Sequence, residues 1–201
     1  MTPNEFILYV LKKTKKHGVT CIFAHDTGVQ YADEILKSNG YWSDEDKTLA
    51  VAIGKPVKRW IKTLAHEYCH FTQFVEGGWD YEDTDLWRMC DGKKYNKGKM
   101  REALFLAQEC EQDCEKRVIK LARRLQLPIN LKAYAKHANA YVYFYAAVEK
   151  YGKWYTVGNE PYNNKNILRE MPNKIDDNYR DISEEMIDFI AEECGITKGK
   201  K

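Results

Sequence analysis

Two of the chain's five histidines, His66 and His70, lie four residues apart in "KTLAHEYCHFTQF", with Glu67 directly after the first. Residues four apart on an α-helix share a face, so both imidazoles can point at one position while Glu67 stands beside it. Neutral imidazoles are good zinc ligands, and a neighbouring carboxylate can take a proton from an attacking water. The pattern predicts a Zn²⁺ site with His66 and His70 as ligands and Glu67 as general base.

Catalytic zinc usually has a third protein ligand, and the predicted helix 101–127 offers several acidic candidates. Apolar residues at helical spacing surround Glu111: Leu104, Ala107, Cys114, Val118, Ala122 and Leu125. A carboxylate within an apolar stripe needs a cationic partner, which favours Glu111 as the third ligand. Glu109, followed four residues later by Asp113, is the alternative. Glu115 is predicted to accept a hydrogen bond from a liganding imidazole.

The elements that must position these residues follow from short-range signals. Segments 19–24 and 47–54 are short and rich in β-branched residues, so both are predicted strands, while "SNGYWSDED" between them is predicted as turn. Pro56 should open a long helix that carries the histidines and ends at the Gly77–Gly78 pair.

Other helices are predicted from the N-terminus to about His17, over 101–127 and 131–151, and over about 183–194 after an N-capping Ser183. Residues 77–100 and the segment "VGNEPYNNKN" are predicted loops. These elements predict an α+β, mostly helical fold.

Length and composition fit one soluble domain. The chain has 201 residues, of which 44% are hydrophobic, and a formal net charge of +2. We predict a single domain over 1–201, with a core at about 19–151 and a disordered tail at 197–201. The charge balance disfavours a dedicated nucleic-acid binder, although lysine clusters keep that partner open.

No segment has the length and apolarity of a membrane span, and the N-terminal residues lack a cleavable signal pattern, so no membrane partner and a cytoplasmic location are expected. The six cysteines are scattered through the chain and are expected to be reduced. The sequence does not indicate an oligomeric state.

With these residues in view, the chain resembles zinc metallopeptidases of the gluzincin type, in particular small proteins of the ImmA/IrrE kind and related phage-encoded metallopeptidases. "HEYCH" matches the metal-binding helix, and "EQDCEKRVIKLA", from Glu111 to Ala122, is similar to the family's glutamate helix. The resemblance covers roughly residues 45–127.

This resemblance implies a zincin-like fold, in which a small sheet packs on the HExxH helix beside a glutamate helix. It also implies a zinc-dependent peptidase that hydrolyses a peptide bond in a protein substrate. The strand near residues 49–53 would be the edge strand that pairs with an extended peptide. For a phage-encoded protein, the location would be the host cytoplasm.

Two other interpretations stay open. One is a catalytically silent binding protein that keeps the zincin scaffold and docks a protein or DNA partner, for instance in a phage–host conflict. The other is a DNA-associated protease of the SprT kind, whose third ligand is a histidine. Only His137 lies downstream of the motif here, and it lacks a second-histidine pattern, so this interpretation ranks lower.

Overall fold

The computed structural model describes residues 1–31, 37–79 and 84–197. These residues form mostly helices with one small mixed sheet, which confirms the predicted α+β class. They group into two compact units, described separately below. The first comprises Met1–Trp79 with Cys114–Asn130, and the second comprises Asp80–Asp113 with Leu131–Lys201. The expectation of one domain over 1–201 stays a prediction.

The first unit holds two helices, the sheet, and the part of a later helix, α4 (Lys97–Leu125), from Cys114 onward. Before α4, in chain order, its elements are α1 (Pro3–Thr14), a 3₁₀ turn (Lys15–His17), β1 (Thr20–Ala24), β2 (Gly40–Ser43), β3 (Thr48–Ala52) and α2 (Val57–Val75). The strand order is β1-β3-β2, with β1 parallel and β2 antiparallel to β3. The predicted strands at 19–24 and 47–54 are therefore confirmed.

The turn predicted for "SNGYWSDED" is wrong over Gly40–Ser43, which form β2. Tyr41 and Trp42 have high strand propensity, and Trp42 pairs with Leu49 of β3. A four-residue strand bounded by turn-forming residues has too short a pattern to stand out in the sequence.

A related expectation also fails. The strand near residues 49–53 was expected at the edge of the sheet, but β3 is central and is hydrogen-bonded to β1 on one side and β2 on the other. The edge strands are β1 and β2.

Helix α2 begins directly after Pro56, whose fixed φ suits a helix start and which has no N–H to leave unsatisfied. Its apolar face is buried as expected: Leu64, Ala65, Tyr68, Cys69 and Phe71. This face packs on β2 and β3. Beyond the C-terminus of the helix, Gly77 and Gly78 both adopt positive φ. The histidine-bearing helix is therefore anchored in the core of the first unit.

The second unit is helical. Its elements are α3 (Thr84–Cys90), the first part of α4 (Lys97–Leu125), α5 (Leu131–Tyr151), a 3₁₀ turn (Pro161–Asn163), α6 (Lys165–Glu170) and α7 (Glu184–Glu193). Helix α4 continues without a break into the residues of the first unit. Phe144, Ile167 and Ile190 are fully buried in the core of this unit.

The loop predicted over 77–100 is wrong for α3 and for the first turn of α4, while residues 80–83 lie outside the described part. Leu86 and Met89 of α3 are spaced by three residues and both are buried, which stabilises this short helix by packing. Asn96 then accepts hydrogen bonds from the N–H groups of Gly98 and Lys99, which caps the start of α4. Likewise α6 occupies part of the predicted loop after residue 157.

The six cysteines all lie within the described residues and form no disulfide, as expected. In the same part of the chain, every helix is too short or too polar to cross a lipid bilayer. Most of the tail predicted at 197–201 falls outside the described residues.

Candidate metal centre

The two motif histidines direct ring nitrogens at each other from consecutive turns of α2. Nε2 of His66 lies 3.1 Å from Nε2 of His70, and the rings are nearly perpendicular with centroids 4.6 Å apart. Two nitrogens that share one tetrahedral zinc at the usual bond length are about 3.3 Å apart. The observed separation is therefore close to that of two imidazoles ligating one ion.

The opposite nitrogen of each ring faces an oxygen. Nδ1 of His70 lies 2.9 Å from the amide Oε1 of Gln73, one turn further along α2. Nδ1 of His66 lies 3.4 Å from Oε1 of Glu115, on the part of α4 that belongs to the first unit. Both oxygens are acceptors, so each ring places its N–H on Nδ1 when the imidazole is neutral.

This arrangement determines what can lie between the rings. With the N–H groups on both Nδ1 atoms, the Nε2 atoms of neutral His66 and His70 carry lone pairs that converge. Two facing lone pairs are stabilised by a positive charge between them, either an added proton or a metal cation. An oxygen acceptor behind a liganding imidazole is also the usual arrangement around protein-bound metals.

The pKa of the His66 imidazole also indicates that positive charge is favoured at this position. Burial alone lowers the pKa of this imidazole, but neighbouring Cys114 and Glu115 outweigh burial and raise the pKa well above its usual range. The surroundings of the ring therefore favour a positive charge at this position, which a divalent cation bound to the ring would supply.

Glu115 lies where the sequence placed it, next to a motif imidazole. Its side chain is 7% exposed, and its Oε2 atom is buried and accepts no hydrogen bond from any described residue. A buried carboxylate oxygen without a donor is costly unless a cation is near. One oxygen of Glu115 thus faces His66, while the other has no donor among the described residues.

Glu67, the predicted general base, is buried at 8% exposure on α2. Its Cγ atom approaches Gly40 of β2 so closely that a Cβ atom at Gly40 would lie 3.3 Å from it. The same Cβ would lie 2.7 Å from Cγ2 of Thr63 and 2.8 Å from the carbonyl oxygen of Ala50. Glycine at position 40 therefore lets β2 pass directly over the turn of α2 that carries Glu67.

The predicted third ligand, Glu111, lies on α4 one turn before Glu115, in the segment assigned to the second unit. Five of the six residues predicted to form the apolar stripe are buried: Leu104, Ala107, Cys114, Val118 and Ala122. The sixth, Leu125, is half-buried. The assignment of Glu111 as a ligand stays a prediction.

The alternative ligand Glu109 has a different partner. Its carboxylate lies 3.2 Å from the guanidinium of Arg180, which also sits 3.5 Å from the centre of the Phe105 ring. An ion pair with arginine neutralises Glu109 within the second unit. This contact favours Glu111 over Glu109 as the donor from α4.

Tyr141 of α5 is close enough to Glu111 for the carboxylate to affect the pKa of its phenol. Burial raises the pKa of Tyr141, and the nearby Tyr145 and Glu111 raise it further. The phenol therefore stays protonated and able to donate a hydrogen bond.

Sequence reasoning missed three residues of this site. Gln73 follows His70 by three residues, so the helical spacing could have indicated a partner for the ring. Cys114 was treated only as a small buried thiol, yet its Sγ lies 3.7 Å from Nδ1 of His66. Gly40 lies in the segment predicted as turn, where glycine is common and does not indicate a close contact with a helix.

The chemistry of these residues fits a zinc ion, since imidazole, carboxylate and thiol groups are its usual protein ligands. Searches against protein-family models, curated proteins and solved structures find no match for this chain. The case for a metal centre therefore rests on the residues and their geometry.

Proposed function

We propose that this protein is a zinc-dependent metallopeptidase that hydrolyses a peptide bond in a protein substrate. One observation carries the proposal: the Nε2 atoms of His66 and His70 converge at 3.1 Å while each Nδ1 faces an oxygen acceptor. This is the arrangement that two metal-ligating imidazoles on one helix require.

In this proposal, His66, His70 and Glu111 hold the ion. When bound there, zinc supplies Lewis-acid chemistry, because it polarises a carbonyl oxygen and makes a water more acidic. Glu115 and Gln73 keep the two imidazoles in the tautomer that presents Nε2. These contacts hold the two imidazole donors of α2 in place before any substrate arrives.

Glu67 is the proposed general base. It directly follows His66 on α2, so its carboxylate lies to the side of the metal-binding face. Its burial between α2 and β2 excludes bulk water and limits its motion. Glu67 would take the proton from the attacking water and then deliver it to the amine of the leaving peptide.

We propose that the substrate lies along the outer edge of β2 rather than beside β3. Ala52 N–H donates to the carbonyl of Asn39, which fixes the register so that Tyr41 bonds to Ala50. In an antiparallel pair the intervening residues, Gly40 and Trp42, direct their backbone groups away from β3. An extended peptide can pair with such an edge by backbone hydrogen bonds.

The surroundings of this edge support the proposal. An open groove runs along β2 and is lined by Tyr31, Ser38, Gly40, Tyr41, Trp42, Ser43, Asp44 and Glu45. The Trp42 ring packs on Phe71 and Phe74 of α2, which holds β2 against the helix. Of the outward-facing groups, the carbonyl of Gly40 already accepts a hydrogen bond from the Ser38 hydroxyl. Within residues 1–31, 37–79 and 84–197, no backbone hydrogen bond uses the N–H of Gly40 or either backbone group of Trp42, so an extended peptide can pair with them.

The metal part of the proposal is tested by elemental analysis of the purified protein. We expect about one equivalent of zinc in the wild type and little in His66→Ala. His25→Ala is the matched control, because this exposed histidine lies outside the motif and should leave the zinc content unchanged. Wild-type protein without zinc, or zinc retained in His66→Ala, would overturn the proposal.

The catalytic part is tested with Glu67→Gln, which keeps the shape of the side chain and removes its basicity. A denatured protein mixture is incubated with wild type or variant, and new peptide termini are identified by mass spectrometry. We expect cleavage by the wild type alone, with equal zinc in both proteins. If both lack cleavage while zinc and partner binding persist, the silent binding protein becomes the better account.

A further inference from the structure

A buried thiol of α4 contacts the same histidine. Cys114 is fully buried on α4, and its Sγ atom lies 3.7 Å from Nδ1 of His66 and 3.4 Å from the carbonyl oxygen of His66. One ligand atom from each of His66, His70 and Cys114 can be chosen so that all three lie within 4.8 Å of one another. This distance is short enough for three donors to approach one ion.

A second observation at this position indicates a cation. Glu115 follows Cys114 directly and is 94% withdrawn from solvent, since its residue exposure is 6%. Its Oε1 atom faces Nδ1 of His66, and its Oε2 atom has no hydrogen-bond partner among the described residues. A buried thiol and an incompletely satisfied carboxylate thus meet the same imidazole.

We propose that Cys114 is a thiolate ligand of the metal ion, so that His66, His70 and Cys114 form a three-donor set within the first unit. The proposal rests on the metal centre proposed above and changes its chemistry. As the sulfur–metal bond forms, the thiol proton leaves to solvent, and no oxidant or reductant is needed.

A thiolate ligand would affect which divalent metal ions the site binds. Soft sulfur donors favour Zn²⁺, Cd²⁺ and Co²⁺ over Mg²⁺ and Mn²⁺, which prefer oxygen ligands. Zinc takes four ligands, so Cys114 would be a third protein donor beside His66 and His70. With Glu111 bound as well, all four places would be taken, and water would enter only when one donor leaves. Such a set would be a closed, resting form of the proposed centre.

Cobalt substitution tests this ligand directly. The protein is stripped of metal with a chelator and titrated with Co²⁺, and its absorption spectrum is recorded. Tetrahedral Co²⁺ gives visible bands with any ligand set, whereas a thiolate ligand adds a charge-transfer band in the near ultraviolet. We expect both features in the wild type, with the charge-transfer band saturating at one equivalent of Co²⁺.

Two variants assign the band to its residue. Cys114→Ser should lose the charge-transfer band and keep the visible bands. Cys110→Ser is the matched control, one turn earlier on the same helix, and should keep both. Because the wild-type spectrum needs no variant, the proposal is testable even if Cys114→Ser folds poorly.

The outcomes separate the two proposals. Visible bands without a charge-transfer band in the wild type would overturn the thiolate ligand and leave the metal centre in place. The absence of any cobalt spectrum would overturn both. A charge-transfer band that persists in folded Cys114→Ser would assign the sulfur to another cysteine and overturn this proposal.

Discussion

Nδ1 of His66 lies 3.4 Å from Oε1 of Glu115, and this contact orients the imidazole that faces His70. The acceptor on one edge of the ring keeps the N–H there and leaves the lone pair on the opposite edge. The carboxylate of α4 thereby sets the chemical form of a histidine on α2.

Glu115→Gln should weaken zinc binding. The amide can present an N–H to Nδ1 of His66, which favours the tautomer with its proton on Nε2 and no lone pair for the ion. Loss of such an outer partner typically lowers metal affinity about 10- to 100-fold. Affinity is measured by competition with a coloured zinc chelator. Glu109→Gln is the control and should bind zinc as the wild type does, because Glu109 pairs with Arg180.

Gln73→Leu should lower zinc affinity in the same assay. Leucine has a similar size and cannot accept the hydrogen bond from Nδ1 of His70, so the ring loses its fixed orientation. Gln73→Glu retains an acceptor and should bind zinc at least as tightly as the leucine variant. Equal affinities for wild type and both variants would show that Gln73 does not orient the ring.

Gly40→Ala should destabilise the first unit by about 1–3 kcal/mol, the usual range for forcing extra atoms into a packed site. The added methyl group would meet Cγ2 of Thr63 and the carbonyl of Ala50 at distances below 3.0 Å. Urea denaturation measures the loss. Adding Thr63→Ser removes one of the two clashes and should restore part of the stability, whereas an unchanged midpoint in Gly40→Ala would contradict the close approach of β2 to α2.

Asp188→Asn should reduce thermal stability at neutral pH and have less effect in acid. Hydrogen bonds from Lys150 and Tyr151 lower the pKa of Asp188 in the folded protein. A lowered folded pKa gives stability that is present above the unfolded value, about 3.9, and is lost as the pH falls through the folded value. The melting temperatures of wild type and Asp188→Asn should therefore converge between pH 5 and strongly acidic pH.

Asp181→Asn is the control for that experiment, because Asp181 is an exposed aspartate of the same unit. Its melting temperature should follow the wild type across the same pH range. A gap between wild type and Asp188→Asn that widens in acid would contradict the assigned contacts.

The relations that the sequence predicted well follow from helical periodicity. His66 and His70 face each other because four residues make about one helical turn, and no other part of the chain is needed for that result. Glu115 could be predicted as a partner of a motif imidazole because the apolar stripe fixed which face of α4 is buried.

The relations that were missed depend on contacts between distant segments. Strand order is an example: nothing in residues 48–52 indicates that Gly40–Ser43 pair on one side and Thr20–Ala24 on the other. The contact of Cys114 with His66 depends on how two helices pack, and a buried thiol has the same sequence pattern with or without it. Gln73 is different. Its spacing of three residues from His70 is evident in the sequence, but the side-chain rotamer that brings its Oε1 to the ring is not.

His66, His70 and Gln73 all belong to α2, which ends 38 residues before Cys114 is reached along the chain. During synthesis on the ribosome, a nascent chain can therefore form the paired nitrogens before the thiol and carboxylates of α4 have been translated. A metal ion bound at that stage would have only the two histidines as protein ligands. The donors of α4 would then join an ion that is already bound.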